Sequence, residues 1–393
     1  MPDDRKRGAS MASHSRHVLH QLRDVINRDP DRFTKDLYTR LFAINPDLRE
    51  LFGVMMSRQR DAFYHVLDHV LEAIPASSGH TELVEFLAQL GRDHRKYGVQ
   101  PEHYQVIYSA LMGEFAHLLA DQWDAEAQQT VSQAMLLVTG VMRGAAQSAR
   151  GPATWTARVV EKYRLTRDLA VVRLVADAPL RFHTGQYLET QIPQWPRIWR
   201  NLSPAIPPNP HGELEFHVRS VSGGTVSTAI VGQTRIGDIW TFGQSHGTLH
   251  VDRDRDVLMV AGGTGLAPLR ALLLEMARRA DSPATHIFYG TRYPGELYDL
   301  PVLQRLASTN PWLTITAVSE ETTDPWWLDA RATPQQLGIT HRIGRLDEVI
   351  TADADRFGDH QSLIAGSPAM VETTRRRLII AGVRASLMQH DPM

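Results

Sequence analysis

Residues 90–104 have the sequence LGRDHRKYGVQPEHY, which places one histidine near the end of an amphipathic helix. The segment before it, TELVEFLAQLGRDH, has apolar residues at helical spacing, and both leucines of its LAQL portion lie within roughly 40° of His94 on a helix. Gly98 and Pro101 predict the end of this helix and the start of the next. An imidazole on an apolar helix face is either a hydrogen-bonded core histidine or an axial ligand of haem iron.

The residues that follow His94 favour the second interpretation. Pro101, Glu102 and Tyr104 stand in an order that resembles the proximal signature of the bacterial flavohaemoglobins. In that family the histidine binds the haem iron, and the tyrosine ten residues later reaches back to it. The resemblance therefore implies that His94 is the iron ligand and that Tyr104 supports it, since such a partner fixes the orientation and the tautomer of a ligating histidine.

Length and composition limit the possible classes of protein. A chain of 393 residues predicts two or three domains, and 42% hydrophobic with 22% charged residues is ordinary for globular proteins. A formal charge of −2 gives no general argument for nucleic acid or an anionic membrane as a partner. The absence of cysteine excludes disulfides, thiolate-ligated haem and cysteine-bound iron–sulfur clusters.

Neither a membrane helix nor a secretory signal is predicted. Apolar runs stay shorter than the ~18 residues that a membrane helix needs. Residues 1–14, MPDDRKRGASMASH, lack an apolar signal core, so they are expected to form a loose tail on a cytoplasmic protein.

The first half of the chain has the pattern of an all-α domain. From His17 to about Arg150 the apolar residues recur at helical spacing, and proline stands only at expected helix edges. This pattern fits helices packed obliquely around a pocket. Together with the resemblance it predicts a globin-like haem domain in residues 15–150.

Two further segments are candidates for the opposite side of the haem. FTKDLYTRLFAINPDLRELF resembles the family's segment that carries a distal tyrosine and a haem-wedging phenylalanine, which correspond here to Tyr38 and Phe52. In SRQRDAFYHVLDHVL, Gln59 and Phe63 begin an apolar stripe that would suit a dry oxygen pocket. Both segments are also compatible with ordinary core helices. The resemblance implies that Tyr38 and Gln59 stabilise bound dioxygen.

One departure concerns the surroundings of His94. The family completes its proximal hydrogen bonds with a glutamate late in the last globin helix, whereas VTGVMRGAAQSAR contains no carboxylate. An anionic partner raises the basicity of a ligating imidazole and tunes the iron. Either this tuning is lost in the present chain, or Asp93 substitutes for the glutamate.

From about residue 153 the sequence changes to β-branched alternation, and short strands between glycine and proline turns predict an antiparallel β-barrel in residues 151–254. Three segments of this region resemble the FAD-binding motifs of ferredoxin-reductase-like domains, so the resemblance assigns FAD contacts to Tyr187 and to residues 200–203 and 224–227. The segments are Gly185-Gln186-Tyr187, Arg200-Asn201-Leu202-Ser203 and Gly223-Gly224-Thr225-Val226-Ser227-Thr228.

The motif with two glycines has a direct physical rationale. Gly223 and Gly224 free the backbone, so the amides and hydroxyls that follow can surround a diphosphate at the start of a helix. Arg200 would add a cationic group to the same phosphates. The alternative is an ordinary glycine turn between strand and helix. Leu202 departs from the family, which has a tyrosine there that stacks on the isoalloxazine.

From Asp256 onward strands alternate with helices, which predicts an α/β domain with a parallel sheet in residues 255–393. Two turns between a buried strand and a helix resemble the family's nicotinamide-nucleotide motifs. The motif residues are Gly263, Thr264, Gly265 and Pro268 in the first turn, and Gly366 and Pro368 in the second.

Two features at strand ends bear on the nucleotide and the flavin. The strand that ends at Arg292 has no acidic residue for a ribose 2′-hydroxyl, whereas Arg292 can accept a 2′-phosphate. The choice between NADH and NADPH stays open, with a slight preference for NADPH. The C-terminal MQHDPM lacks the aromatic residue that the family often places against the flavin.

As the resemblance implies, the chain is a flavohaemoglobin-type oxidoreductase that uses haem b, FAD and NAD(P)H. Electrons would pass from NAD(P)H through FAD to the haem, where nitric oxide and dioxygen would yield nitrate. Its expected partners are these small molecules, without nucleic acid and without a required membrane contact. The alternatives are a haem-based oxygen or redox binding protein whose reductase resets the iron, a divergent member with another substrate, and a reductase whose globin half no longer holds haem.

Overall fold

The computed structural model describes residues 3–53, 56–76, 80–328 and 333–391. The chain separates into two compact units, residues 1–154 and residues 155–393. Each unit has its own hydrophobic core.

The first unit is helical throughout its described part. Its α-helices are α1 (Asp3–Arg28), α2 (Pro30–Ile44), α3 (Ser57–Ala73), α4 (His80–His94), α5 (Pro101–Leu119) and α6 (Ala125–Ser148). Helix α1 begins at Asp3, so the prediction of a loose tail over residues 1–14 was wrong; residues 1 and 2 lie outside the described part of the chain. The helix that the sequence predicts from His17 onward extends further toward the N-terminus.

Local sequence signals account for the ends of these helices. The Asp29 side chain caps α2 by accepting a hydrogen bond from the Arg32 amide at 3.1 Å, and Pro30 occupies the first helical position. Helix α4 ends at His94, and the chain reverses at Gly98, whose φ of 78° is left-handed. Pro101 then starts α5.

Helices α4 and α6 lie in backbone contact. A Cβ atom added at Gly91 would lie 2.2 Å from the carbonyl oxygen of Met142, which no side chain could tolerate. Gly91 is buried and stands less than one turn before His94. This backbone contact therefore fixes where the His94 end of α4 lies along helix α6.

The second unit begins with an antiparallel sheet. Its elements are β1 (Trp155–Arg164), β2 (Leu169–Ala176), β3 (Tyr187–Gln191), β4 (Trp199–Leu202), β5 (Glu213–Arg219), α7 (Thr225–Gly232) and β6 (Ile239–His246). The strand order is β4-β3-β6-β1-β2-β5. The two edges meet, since Pro204 bridges to Phe216 and the Ala205 amide donates to the Glu215 carbonyl at 2.7 Å. The sheet thereby closes on itself as a barrel.

A parallel sheet with helices follows. Its elements are β7 (Val257–Gly262), α8 (Leu266–Met276), β8 (Thr285–Thr291), α9 (Leu300–Thr309), β9 (Leu313–Ser319), β10 (Thr340–Ile343), α10 (Leu346–Thr351), β11 (Gln361–Ala365), α11 (Pro368–Ile380) and β12 (Met388–Gln389). The strand order is β10-β9-β8-β7-β11-β12. The order reverses between β7 and β11, which is the switch point where ligands bind in sheets of this kind.

The predicted fold class is confirmed: an all-α globin-like domain, an antiparallel FAD barrel and a parallel α/β domain. The apolar run of β7 reflects its central position, because a strand covered on both faces needs no polar alternation. None of the described helices combines the length and apolar character needed to cross a membrane.

Candidate functional site

The aromatic side chains predicted for the distal side of the globin unit come together in the structure. Tyr38 on α2 is 6% exposed. Its ring lies edge-on to Phe52 at 5.4 Å and 82°, and to Phe63 at 5.9 Å and 69°. Phe52 and Phe63 come from a turn and from α3, so separate segments supply one apolar cluster around a single phenol.

The hydroxyl of Tyr38 carries the polar function of this cluster. Burial raises the pKa of Tyr38 to about 12, while a hydrogen bond from Gln59 acts in the opposite direction. Tyr38 consequently keeps its proton at neutral pH. Gln59 itself is exposed in the first turn of α3.

On the proximal side, His94 is oriented by its own helix. Its Nδ1 lies 2.6 Å from the Leu90 carbonyl oxygen, one turn earlier in α4. A carbonyl only accepts, so the proton of a neutral imidazole stands on Nδ1 and the lone pair on Nε2. The ring also meets Tyr97 edge-on at 6.1 Å and 74°. Tyr97 was not among the site residues predicted from the sequence. The signal that could have indicated it is an aromatic residue three positions after His94.

Tyr104 is buried, but its hydroxyl does not reach His94. The side chain is 6% exposed and packs with Val70, Leu83 and Leu87. Its hydroxyl has no hydrogen-bond partner in the described part of the chain, and burial raises the pKa of Tyr104. A buried hydroxyl without a partner is costly, so the site as it stands lacks one polar group.

Helix α3 connects the distal and proximal residues. Phe63 packs with the cluster around Tyr38, whereas Val66 and Val70 pack with the cluster that contains Leu90 and Tyr104. The apolar residues predicted on one face of α3 therefore contact both the distal cluster and the proximal cluster. Asp93, proposed as a substitute for the missing glutamate, accepts a hydrogen bond from the Gln89 amide of its own helix at 2.8 Å.

In the barrel, the first predicted flavin motif lies at the start of β3. Tyr187 is half-buried and stacks on His246 of β6, with ring centroids 5.7 Å apart and planes at 30°. The two residues are direct partners across the antiparallel strands. Gly185 precedes this pair with a φ of 95°, and a Cβ there would lie 2.3 Å from the Leu249 carbonyl oxygen.

The second motif, on β4, places its residues on two faces. Arg200 and Leu202 pair across the sheet with Thr190 and Leu188, whose side chains are buried. Leu202 packs against the apolar core of the barrel. Asn201 points to the opposite face and is exposed, as alternation along a strand requires. Leu202, which stands where the family has a tyrosine, is half-buried, and Ser203 follows it at the strand end.

The third motif forms a turn and the first residues of α7. Gly223 has a φ of 73°, and Gly224 immediately precedes the helix. The Ser227 hydroxyl accepts a hydrogen bond from the Val221 amide at 3.2 Å, which holds the turn. Val226 is 2% exposed and packs in the barrel core, so its side chain is not available to a ligand. Thr225 supplies both an amide and a hydroxyl at the first helical position.

The two predicted nucleotide turns meet at the switch point of the parallel sheet. A Cβ at Gly265 would lie 2.3 Å from the Ala365 carbonyl oxygen, and one at Gly366 would lie 2.1 Å from Met370 Cε. Residues 263–265 and 366–368 are thus neighbours at the carboxyl ends of β7 and β11. Pro268 is buried in the first turn of α8, and Pro368 begins α11.

Around Arg292 the structure adds a residue that the sequence did not associate with it. The Arg292 side chain is 64% exposed, and its Nε lies 4.0 Å from Glu321 Oε1. The Glu321 amide also donates to the Arg292 carbonyl at 2.9 Å. Glu321 follows β9, the strand next to the one that ends before Arg292. An acidic residue, Glu321 after the neighbouring strand β9, therefore does lie beside Arg292.

A buried ionic network joins the barrel to the parallel sheet. Glu215 on β5 lies 2.6 Å from Arg173, 3.0 Å from Arg270 of α8 and 3.0 Å from His217. Burial alone would raise the pKa of Glu215, but the bonds and charges of these three groups lower it to about 2. The Glu215 carboxylate thus stays ionised and ties α8, the helix after the first nucleotide turn, to the barrel. No motif in the sequence predicted this network.

Three regions of the chain each match a known protein family. Residues 35–142 match the globin family, residues 156–251 match the oxidoreductase FAD-binding domain, and residues 259–376 match the oxidoreductase NAD-binding domain.

The curated relatives resemble the second unit. The electron transfer component XylA of xylene/toluene monooxygenase from Pseudomonas putida is 28% identical over 244 residues, which cover 61% of this chain and 65% of XylA. Reductase component 2 of terephthalate 1,2-dioxygenase from Comamonas sp. is 30% identical over 242 residues, which cover 60% of this chain and 67% of the relative. The chain thus spans about two thirds of the length of these curated relatives.

Among solved structures, a flavohemoglobin from Malassezia yamatoensis with bound FAD and heme covers 96% of this chain and 98% of its own length, with a TM-score of 0.69. At 16% identity this similarity shows the fold alone. The ferredoxin reductase in carbazole 1,9a-dioxygenase is 26% identical, with a TM-score of 0.52, and covers 62% of this chain and 70% of its own.

Proposed function

We propose that this chain, which joins a globin domain to oxidoreductase FAD-binding and NAD-binding domains, is a nitric oxide dioxygenase of the flavohaemoglobin type. It would take electrons from NAD(P)H and convert nitric oxide and dioxygen to nitrate. The observation that supports this proposal most directly is the buried, protonated Tyr38 beside Gln59 in an apolar cluster of the globin unit. A single directed hydrogen-bond donor in dry surroundings is what a bound dioxygen requires.

The globin residues fit a haem b. His94 would hold its iron through Nε2, since the bond to Leu90 orients the ring and fixes the tautomer. The partnerless hydroxyl of Tyr104 would gain a polar neighbour when the site is filled. Phe52 and Phe63 would supply apolar contact to the macrocycle. When bound, haem supplies an iron that takes up dioxygen, and FAD converts a hydride into single electrons.

Tyr38 would orient the oxygen ligand and keep its proton. Its hydroxyl lies beside Gln59 in the apolar cluster. A phenol with a pKa of about 12 does not give up this proton at neutral pH, and it therefore acts as a hydrogen-bond donor without acting as an acid. The surrounding aromatic rings exclude water, which strengthens such a bond.

The second unit would bind FAD on the barrel and the nicotinamide nucleotide at the switch point of the parallel sheet. The turn before α7 offers backbone amides and the Thr225 hydroxyl to the FAD diphosphate, and Arg200 of β4 is the cationic candidate. The adjacent turns at Gly265 and Gly366 would hold the nucleotide. The ion pairs around Glu215 would hold the FAD site and the nucleotide site in a fixed relative position.

The proposal is tested by measuring nitric oxide consumption by the purified protein with NADH and with NADPH under air. We expect a haem absorption spectrum that NAD(P)H reduces anaerobically, followed by catalytic consumption of nitric oxide. A reducible haem without nitric oxide consumption would instead indicate an oxygen or redox binding protein. A flavin spectrum without haem would indicate a reductase whose globin unit has lost its ligand.

A further inference from the structure

The end of the chain returns to the predicted flavin motif. Strand β12 pairs with β11, and the Gln389 side chain accepts a hydrogen bond from the His250 amide at 3.0 Å. This anchor places Asp391 over Gly247, where a Cβ atom would lie 2.6 Å from Asp391 Oδ1 and 3.3 Å from Tyr187 Cδ1. Gly247 has a φ of 102°, so both its conformation and its lack of a side chain admit the carboxyl group.

The carboxyl group of Asp391 is incompletely satisfied. Its Oδ1 is buried and has no hydrogen-bond partner among the described residues. Burial raises the pKa of Asp391 to about 6, although the Thr248 amide donates to the carboxyl group and His390 contributes a favourable charge. A buried carboxylate oxygen without a donor is costly. This oxygen therefore needs a hydrogen-bond donor from a molecule other than the chain itself.

The neighbours of Asp391 that titrate are few and can be named. His390 precedes it, His250 lies on the segment that carries Thr248, Tyr187 lies beside it, and His246 precedes Gly247 in the barrel. A test must therefore separate Asp391 from the histidines.

We propose that Asp391 is a residue of the FAD site and accepts a hydrogen bond from the isoalloxazine or ribityl end of FAD. Tyr187, beside which it lies, belongs to the flavin motif within the FAD-binding domain. The ring N–H and the ribityl hydroxyls of oxidised FAD are donors, whereas its diphosphate would repel a carboxylate. The inference rests on FAD binding and does not depend on nitric oxide as the substrate.

The expected consequence is an FAD affinity that rises with pH. A donor on FAD stabilises the ionised carboxylate, so bound FAD lowers the pKa of Asp391 and binds more tightly above it. If this lowering from about 6 amounts to about one pKa unit, linkage gives an affinity about fivefold higher at pH 8 than at pH 5. Oxidised FAD itself keeps one protonation state over this range.

The experiment titrates FAD into the full-length chain freed of flavin and follows the quenching of flavin fluorescence between pH 5 and pH 8. We expect the wild-type affinity to rise with pH, and Asp391→Asn, which has the same shape, to have a weak and constant affinity. Asp359→Asn is the matched control, because Asp359 is 90% exposed and paired with Arg384 on the surface, and it should behave as the wild type.

Three outcomes would overturn the proposal. The first is a wild-type affinity that is constant or falls with pH, and this measurement needs no variant to fold. The second is a pH dependence that persists in Asp391→Asn, which would assign it to the histidines. The third is a riboflavin affinity that stays constant with pH, because riboflavin carries the isoalloxazine and ribityl groups but no phosphate that titrates in this range.

Discussion

Removing the hydroxyl of Tyr38 tests the distal site most directly. Tyr38 is 6% exposed, so Tyr38→Phe removes one hydroxyl donor without opening a large space. A hydrogen bond to a polar, partly charged ligand contributes about 1.5–3 kcal/mol. Its loss should therefore speed dioxygen release by roughly ten- to a hundredfold. Haem and FAD content should not change.

The assay is stopped-flow measurement of dioxygen release from the reduced protein. The matched control is Tyr108→Phe, which removes a hydroxyl from the same unit, where Tyr108 and Ser132 are hydrogen-bonded at 2.8 Å. We expect the control to release dioxygen at the wild-type rate. If Tyr38→Phe and the wild type agree within a factor of about two, the hydroxyl makes no bond to the ligand and Tyr38 serves only in packing.

Three further substitutions test other parts of the reasoning. His94→Ala should abolish the haem Soret band or leave a weakly ligated form; an unchanged histidyl spectrum would remove His94 as the ligand. Leu202→Tyr should lower the stability of the barrel by about 1–3 kcal/mol in urea unfolding, because Leu202 packs against the core, and tighter FAD retention would contradict this assignment. Glu321→Gln should raise kcat/KM for NADPH relative to NADH several-fold, since Glu321 competes with a 2′-phosphate for Arg292; an unchanged ratio would place the ribose elsewhere.

The local elements and the order of the domains were readable from the sequence. The helix that ends at His94, its reversal at Gly98 and the start at Pro101 all appear where their residue types predict them. These features depend on neighbours within a few positions of the chain, because caps, prolines and left-handed glycines act locally. The glycine turns after β7 and β11 were found for the same reason.

The sites required contacts between distant positions. That Leu202 contacts FAD stays a prediction, and only its pairing with Leu188 shows that it packs, half-buried, against the barrel core. The hydroxyl of Tyr104 was expected to support His94, yet it is buried without a partner in the described residues. In both cases the helix or strand was predicted, but the direction of the side chain depended on what packed against it.

By itself, the sequence determined which segments form helices and strands, how the three domains follow one another and which residue types each site contains. The tertiary structure alone decided that Glu321 reaches Arg292, that Glu215 ties α8 to the barrel and that Asp391 lies beside Tyr187. These partners stand 29, 55 and 204 positions apart in the chain. Periodicity and capping describe a chain over a few turns, whereas contacts over such separations exist only after the sheets have assembled.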